Sequence, residues 1–178
     1  MAGGAPINFS SNNSTSDPKA NYTPAIALMA TLFFVIGFIT VLNDVLIPIM
    51  KDTFDFKDNE NWKLILIQFS FFMAYGLLAI PAGNLIKTIG YKKGTIYALF
   101  IVAAGLLLFY PASELASYGL FLLALFIVGS GFALLQVAIN PYLIALGSPE
   151  TGAARLNLGG ALNSTATFIG PIFGSFYL

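Results

Sequence analysis

Gly37-Phe38-Ile39-Thr40-Val41-Leu42-Asn43-Asp44-Val45-Leu46-Ile47-Pro48 lies inside a run, residues 24–50, that is otherwise apolar. As a helix rising about 1.5 Å per residue, such a run crosses the roughly 30 Å hydrocarbon core of a bilayer. Asp44 is the exception within it. A carboxylate at that depth costs about 2.5 to 3.5 kcal/mol on insertion scales, so it persists only facing a protein interior or a water-filled cavity. The first expectation is therefore an ion or substrate pathway. Pro48 adds a second acceptor: lacking an N–H, it cannot bond the carbonyl four residues back, which is Asp44's own.

The rest of the chain agrees on the solvent. Of 178 residues 57% are hydrophobic and 9% charged, against roughly 25% charged in soluble domains, and the mean hydropathy is +0.82. Eight basic and eight acidic residues cancel, which gives no electrostatic argument for nucleic acid as a partner. With neither cysteine nor histidine, disulfide frameworks, thiolate sites and the usual zinc constellations are excluded. No metal and no resident cofactor are expected.

Four further runs have the length of a membrane helix or approach it: residues 64–86, 95–111, 118–146 and 156–178. They lack the strict alternation of barrel strands and are too long for them, which leaves helices as the spanning solution. Polar connections fall at 51–63, 87–94, 112–117 and 147–155. The expected fold class is an all-α integral membrane protein, with a spanning region at 23–178. Residues 1–22, Ser/Asn-rich with Asp17 and Lys19, lack the basic start and cleavage site of a secretory signal and read as a disordered cytoplasmic tail. The sequon at Asn12 reads as a chance match. Lys19, Lys87, Lys92, Lys93 and Arg155 on one side, against Lys51, Lys57 and Lys63 on the other, favour a cytoplasmic N-terminus.

Polar residues recur within the apolar runs. Gln136 and Asn140 are one turn apart, and Pro141 follows. Gln68 and Tyr75 share a face of the second run. Asn157, Asn163, Ser164, Thr165 and Thr167 flank or follow Gly159 and Gly160, a small-residue face expected to meet lipid or a helix outside these five. Amides and hydroxyls of this kind bind sugar hydroxyls, with Phe69, Phe71 and Phe72 as stacking surfaces; the competing reading is that they glue helices together. No basic residue lies in the apolar parts of the runs to pair with Asp44. That favours a protonatable group over a buried ion pair.

Residues 83–94, Gly-Asn-Leu-Ile-Lys-Thr-Ile-Gly-Tyr-Lys-Lys-Gly, resemble the inner loop between helices two and three of the major facilitator superfamily, with glycines seven apart and a basic end. Lys87 and Thr88 depart from the usual acid and arginine. The 37–48 stretch, 68–75, Leu-Gln-Val-Ala-Ile-Asn-Pro-Tyr at 135–142, and Arg155-Leu156-Asn157-Leu158 with Asn163-Ser164 together resemble the fucose–galactose–glucose:proton symporter family of that superfamily. The resemblance runs over about 33–178. It implies helices one to five of a twelve-helix fold, with the remaining helices of the same transporter as partners.

What the resemblance implies for function is secondary active transport of a hexose by cation-coupled symport, and no enzyme activity. Asp44 corresponds to the family's protonatable first-helix aspartate and Asn163 to a cavity asparagine. Gln136 stands where the fucose branch has a glutamate, Gly160 where it has a glutamine and Val41 where it has an asparagine, which points to the glucose/galactose branch. The candidate site is thus Asp44 for the proton or, alternatively, sodium, and Asn43, Gln68, Gln136, Asn140 and Asn163 for a monosaccharide. Asp44 is expected in the outer half, Gln136 and Asn163 nearer the inner half. The expected location is a cell membrane, inner or plasma, with the lipid bilayer as solvent. A non-transporting scaffold or subunit is the alternative from another class, and it would pack Asp44 and Gln136 among apolar neighbours.

Overall fold

A computed structural model describes residues 21–57 and 60–177. Residues 1–20, on which most of the expected tail and the Asn12 sequon fall, lie outside the described residues. Each expected span is a helix: α1 (Thr23–Thr53), α2 (Asn61–Ile89), α3 (Tyr91–Glu114), α4 (Tyr118–Ala145) and α5 (Gly152–Tyr177), with one 3-10 turn at Pro149–Thr151 before α5. No strand occurs among the described residues.

Helices outrun the apolar windows because hydropathy reports the lipid-facing part alone, while polar flanks continue to hydrogen-bond internally. The expected connection at 87–94 contracts to one residue. Gly90 caps both α2 and α3 at φ +82°, a conformation open to glycine at no steric cost, and Tyr91-Lys92-Lys93 already belongs to α3. Between α1 and α2, Lys63 Nζ meets Glu60 Oε1 at 2.5 Å, and this bond holds the Glu60 carboxyl below the usual carboxylate range.

Among the described residues four helices, α1 to α4, are long and apolar enough to cross a membrane. α5 has the length but not the composition, contrary to the expectation of a fifth apolar span: Asn157, Asn163, Ser164, Thr165 and Thr167 dilute it. Its place in the bundle rests on packing against α1.

α4 is the hub. It touches all four other helices and carries the fully buried Phe132, Leu135, Ile139 and Leu143, with Phe71 of α2 edge-on to Phe132 at 6.1 Å between ring centroids. α2 and α3 pack extensively on α4, whereas α5 packs mainly on α1 and the direct contact of α1 with α2 is slight. Glycines set the closest approaches. A methyl at Gly129 would stand 2.5 Å from the Phe71 carbonyl oxygen, one at Gly131 2.8 Å from the Val102 nitrogen, and one at Gly37 2.5 Å from the Asn163 carbonyl oxygen. Small residues thus bring backbones together where apolar burial against lipid supplies little net drive. Gly159, expected toward lipid or an outside helix, is buried against Phe33 and Leu143, while Gly160 beside it has open space.

Arg155 closes the end of the bundle at which α4 gives way to α5. Buried to 8% exposure, its guanidinium donates through Nε to the Leu143 carbonyl at 3.0 Å and through one terminal nitrogen to the carbonyls of Ile144 (2.6 Å) and Ser148 (3.0 Å). Leu143 and Ile144 belong to the last turn of α4, whose carbonyls lack helical partners and carry the negative end of the helix dipole. The rigid fork of an arginine satisfies both at once.

Two stability outcomes follow from these contacts. Gly129→Ala presses a methyl into backbone that cannot give way and should lower stability by about 1–3 kcal/mol, while Gly160→Ala should leave it unchanged or raise it; thermal unfolding in detergent compares them. Arg155→Ala should cost about 1–3 kcal/mol in the same assay by orphaning buried carbonyls, and Arg155→Lys should recover only part, since an ammonium cannot span them.

Candidate functional site

Four helices contribute polar groups to one cavity of about 370 Å³, within the roughly 300–1,000 Å³ of small-molecule sites. α1 supplies Asp44, α2 Tyr75, α4 Gln136 and α5 Asn163 and Thr167, with Phe72 on the wall. Three of the residues singled out in the sequence, Asp44, Gln136 and Asn163, are therefore brought together. Asp44 is exposed, whereas Gln136 and Asn163 are half-buried.

The groups are held by neighbours that fix their orientation. The Tyr75 hydroxyl donates to Gln136 Oε1, which leaves the Gln136 NH2 for a ligand. Asn163 Nδ2 donates to the Phe33 carbonyl at 3.0 Å, which leaves its Oδ1 as an acceptor. One donor arm and one acceptor arm thus remain, the pair a vicinal diol can satisfy. Thr40 and Thr167 turn their hydroxyls back onto their own helices, to the carbonyls of Ile36 (2.7 Å) and Asn163 (3.0 Å).

Helix register separates two levels. Asp44 lies nine residues before the end of α1 and Gln68 seven after the start of α2, about 10–14 Å from the α1–α2 connection. Gln136 is nine residues from the end of α4 and Asn163 eleven from the start of α5, about 14–17 Å from the opposite end.

The other expected residues stand elsewhere. Gln68 is not on the cavity wall; its Nε2 donates to Asp44 Oδ1 and its Oε1 accepts from Asn43 Nδ2 at 2.8 Å. Asn43 faces a second, larger cavity of about 700 Å³, lined mainly by apolar side chains such as Phe38, Leu46, Phe109 and Leu125. That volume is greater, but the polar groups converge on the smaller cavity. Asn140 is half-buried off the wall, with its Oδ1 unpartnered. Phe71 is core, at 1% exposure, and Phe69 is exposed away from the cavity, so Phe72 is the phenylalanine offering it a free ring. Tyr75, absent from the expected ligand set, was legible in its seven-residue spacing from Gln68; nothing in the sequence marked Arg155 as a helix cap. Among the described residues no group of three acidic, histidine or cysteine side chains could hold a metal ion.

Known proteins resemble the chain over this same region. A glucose/galactose transporter of Brucella abortus is 46% identical over 175 residues, covering 98% of this chain and 42% of the relative. A putative glucose/galactose transporter of Helicobacter pylori is 48% identical over 157 residues, 88% of this chain and 38% of the relative. The crystal structure of the fucose:proton symporter of E. coli superposes with a TM-score of 0.74 at 37% identity, covering 89% of this chain and 37% of that one. The chain spans about two-fifths of the length of the curated relatives. Residues 28–178 match the family model of the Major Facilitator Superfamily, and this multi-pass, all-helical membrane chain belongs to that superfamily.

Proposed function

We propose that the chain forms the first helices of a secondary active transporter that takes up a hexose, glucose or galactose ahead of fucose, in symport with a proton. The observation that carries the reading is Asp44, the one carboxylate on the cavity wall, sharing that wall with the amides of Gln136 and Asn163. A scaffold would bury these groups among apolar neighbours; here they line a common space. The relatives, named as sugar transporters and a proton symporter, support the same substrate class and ion.

Protonation of Asp44 removes the cost of carrying a charge through an occluded, low-dielectric state. Sugar engages the free arms of Gln136 and Asn163, with the Phe72 ring and Tyr75 beside it. Each ligand then favours the same conformational change, which is what coupling requires. The protein is a carrier and not an enzyme, it sits in the cell membrane with a cytoplasmic N-terminus, and helices beyond these five complete the sugar site. Sodium is the second reading, with Asp44 staying ionised and its carbonyl, freed by Pro48, as a further oxygen for the ion.

Asp44→Asn in the complete transporter should abolish sugar accumulation against a gradient and spare exchange of internal for external sugar, since exchange needs only the neutral, loaded state. Accumulation and exchange measured in vesicles, with sodium and pH varied independently, decide between the ions. Undiminished accumulation by Asp44→Asn would remove Asp44 from the mechanism under either ion.

A further inference from the structure

Asn43 and Asp44 are consecutive on α1, so their side chains leave the helix about 100° apart and look into different spaces. Asp44 lines the polar cavity and Asn43 the apolar one. Gln68 of α2 joins them, accepting from Asn43 Nδ2 at 2.8 Å and donating to Asp44 Oδ1. A side-chain amide carries its acceptor on one arm and its donors on the other. The first bond therefore decides the second: with its oxygen held by Asn43, Gln68 turns its NH2 to the carboxylate. Asn43 is itself 3% exposed, and its Oδ1 finds no partner. Packing alone would favour an apolar residue there, because an unsatisfied buried acceptor is destabilising.

We infer that Asn43 and Gln68 are positioning residues for Asp44 and not sugar ligands: Asn43 locks the Gln68 amide, and Gln68 gives the ionised carboxylate a fixed donor. The inference rests on the coupling role of Asp44. It also ties α1 to α2, two helices with little other contact. Tyr75 is the other titratable side chain on this wall; the remaining polar groups facing Asp44 from α1, α4 and α5 are Thr40, Gln136, Asn163 and Thr167, none of which titrates.

A carboxylate that loses its fixed donor is no longer held in place for its role in coupling. In the complete transporter reconstituted in liposomes, Gln68→Met should lower sugar accumulation against a gradient about tenfold, with exchange and the KM for sugar unchanged. Asn43→Ala should lower accumulation by less. The double variant should match Gln68→Met alone, because Asn43 acts through Gln68. Additive losses would mean two independent effects and overturn the relay, as would a higher KM for sugar with undiminished accumulation. Loss of exchange in both single variants would make the pair a structural brace, which also overturns it. Undiminished accumulation by Gln68→Met beside an Asp44→Asn variant that fails to accumulate refutes the relay and leaves the coupling role standing; accumulation by Asp44→Asn refutes the coupling role itself.

Discussion

Inside a bilayer core a polar group has no water to turn to, and every amide, hydroxyl and carboxylate in these helices has to find a partner or a cavity. That demand organises the bundle. The hydroxyls of Thr31, Thr40, Thr95, Ser130 and Thr165 fold back onto carbonyls one turn earlier on their own helices. Groups not satisfied locally, among them the Gln68, Gln136 and Asn163 amides and the Asp44 carboxylate, meet between helices instead. A cavity is the place where their remaining capacity can be met by something mobile.

The helices assemble as two packed groups, α1 with α5 and α2 with α4 and α3. Asn163 with Phe33 lies within the first group and Tyr75 with Gln136 within the second, so those bonds preorganise each wall separately. The Asn43–Gln68–Asp44 chain crosses between the groups near one end of the bundle, and Arg155 joins α5 to α4 near the other. Backbone contact at glycines makes each group stiff, and two polar ties at opposite ends leave the seam between the groups comparatively soft.

Much of this was legible in the residues, for reasons that also explain what was not. Apolar runs long enough to span a membrane report helices directly, and Asp44, Gln136 and Asn163 stood out because polar groups in such runs are costly. α5 escapes the hydropathy criterion because Asn157, Asn163, Ser164, Thr165 and Thr167 lower its average, and of these Asn163 and Thr167 reach the cavity wall. Asn43 is next to Asp44 in sequence, yet one residue along a helix is about 100° of rotation, and the two side chains line different cavities. The α2–α3 connection looked like a loop because charge and glycine cluster there, but Gly90 alone makes the turn. Arg155 entered the sequence reading as a topological charge, and its service to the end of α4 depends on a fold-back of the 147–151 segment that no local pattern announces.

Gly37 has a consequence for depth. The residues one turn to either side of it, Phe33, Phe34, Thr40 and Val41, all carry larger side chains, so a slip of α1 along α5 by one turn would drive one of them against the Asn163 carbonyl, where a methyl already has no room. The two helices are indexed to each other like a key to its wards, by a notch and not by a bond. Since Asp44 sits seven residues beyond Gly37, about 10 Å along the axis, the vertical offset between the carboxylate and the asparagine is machined into the chain by the one residue that has no side chain at all.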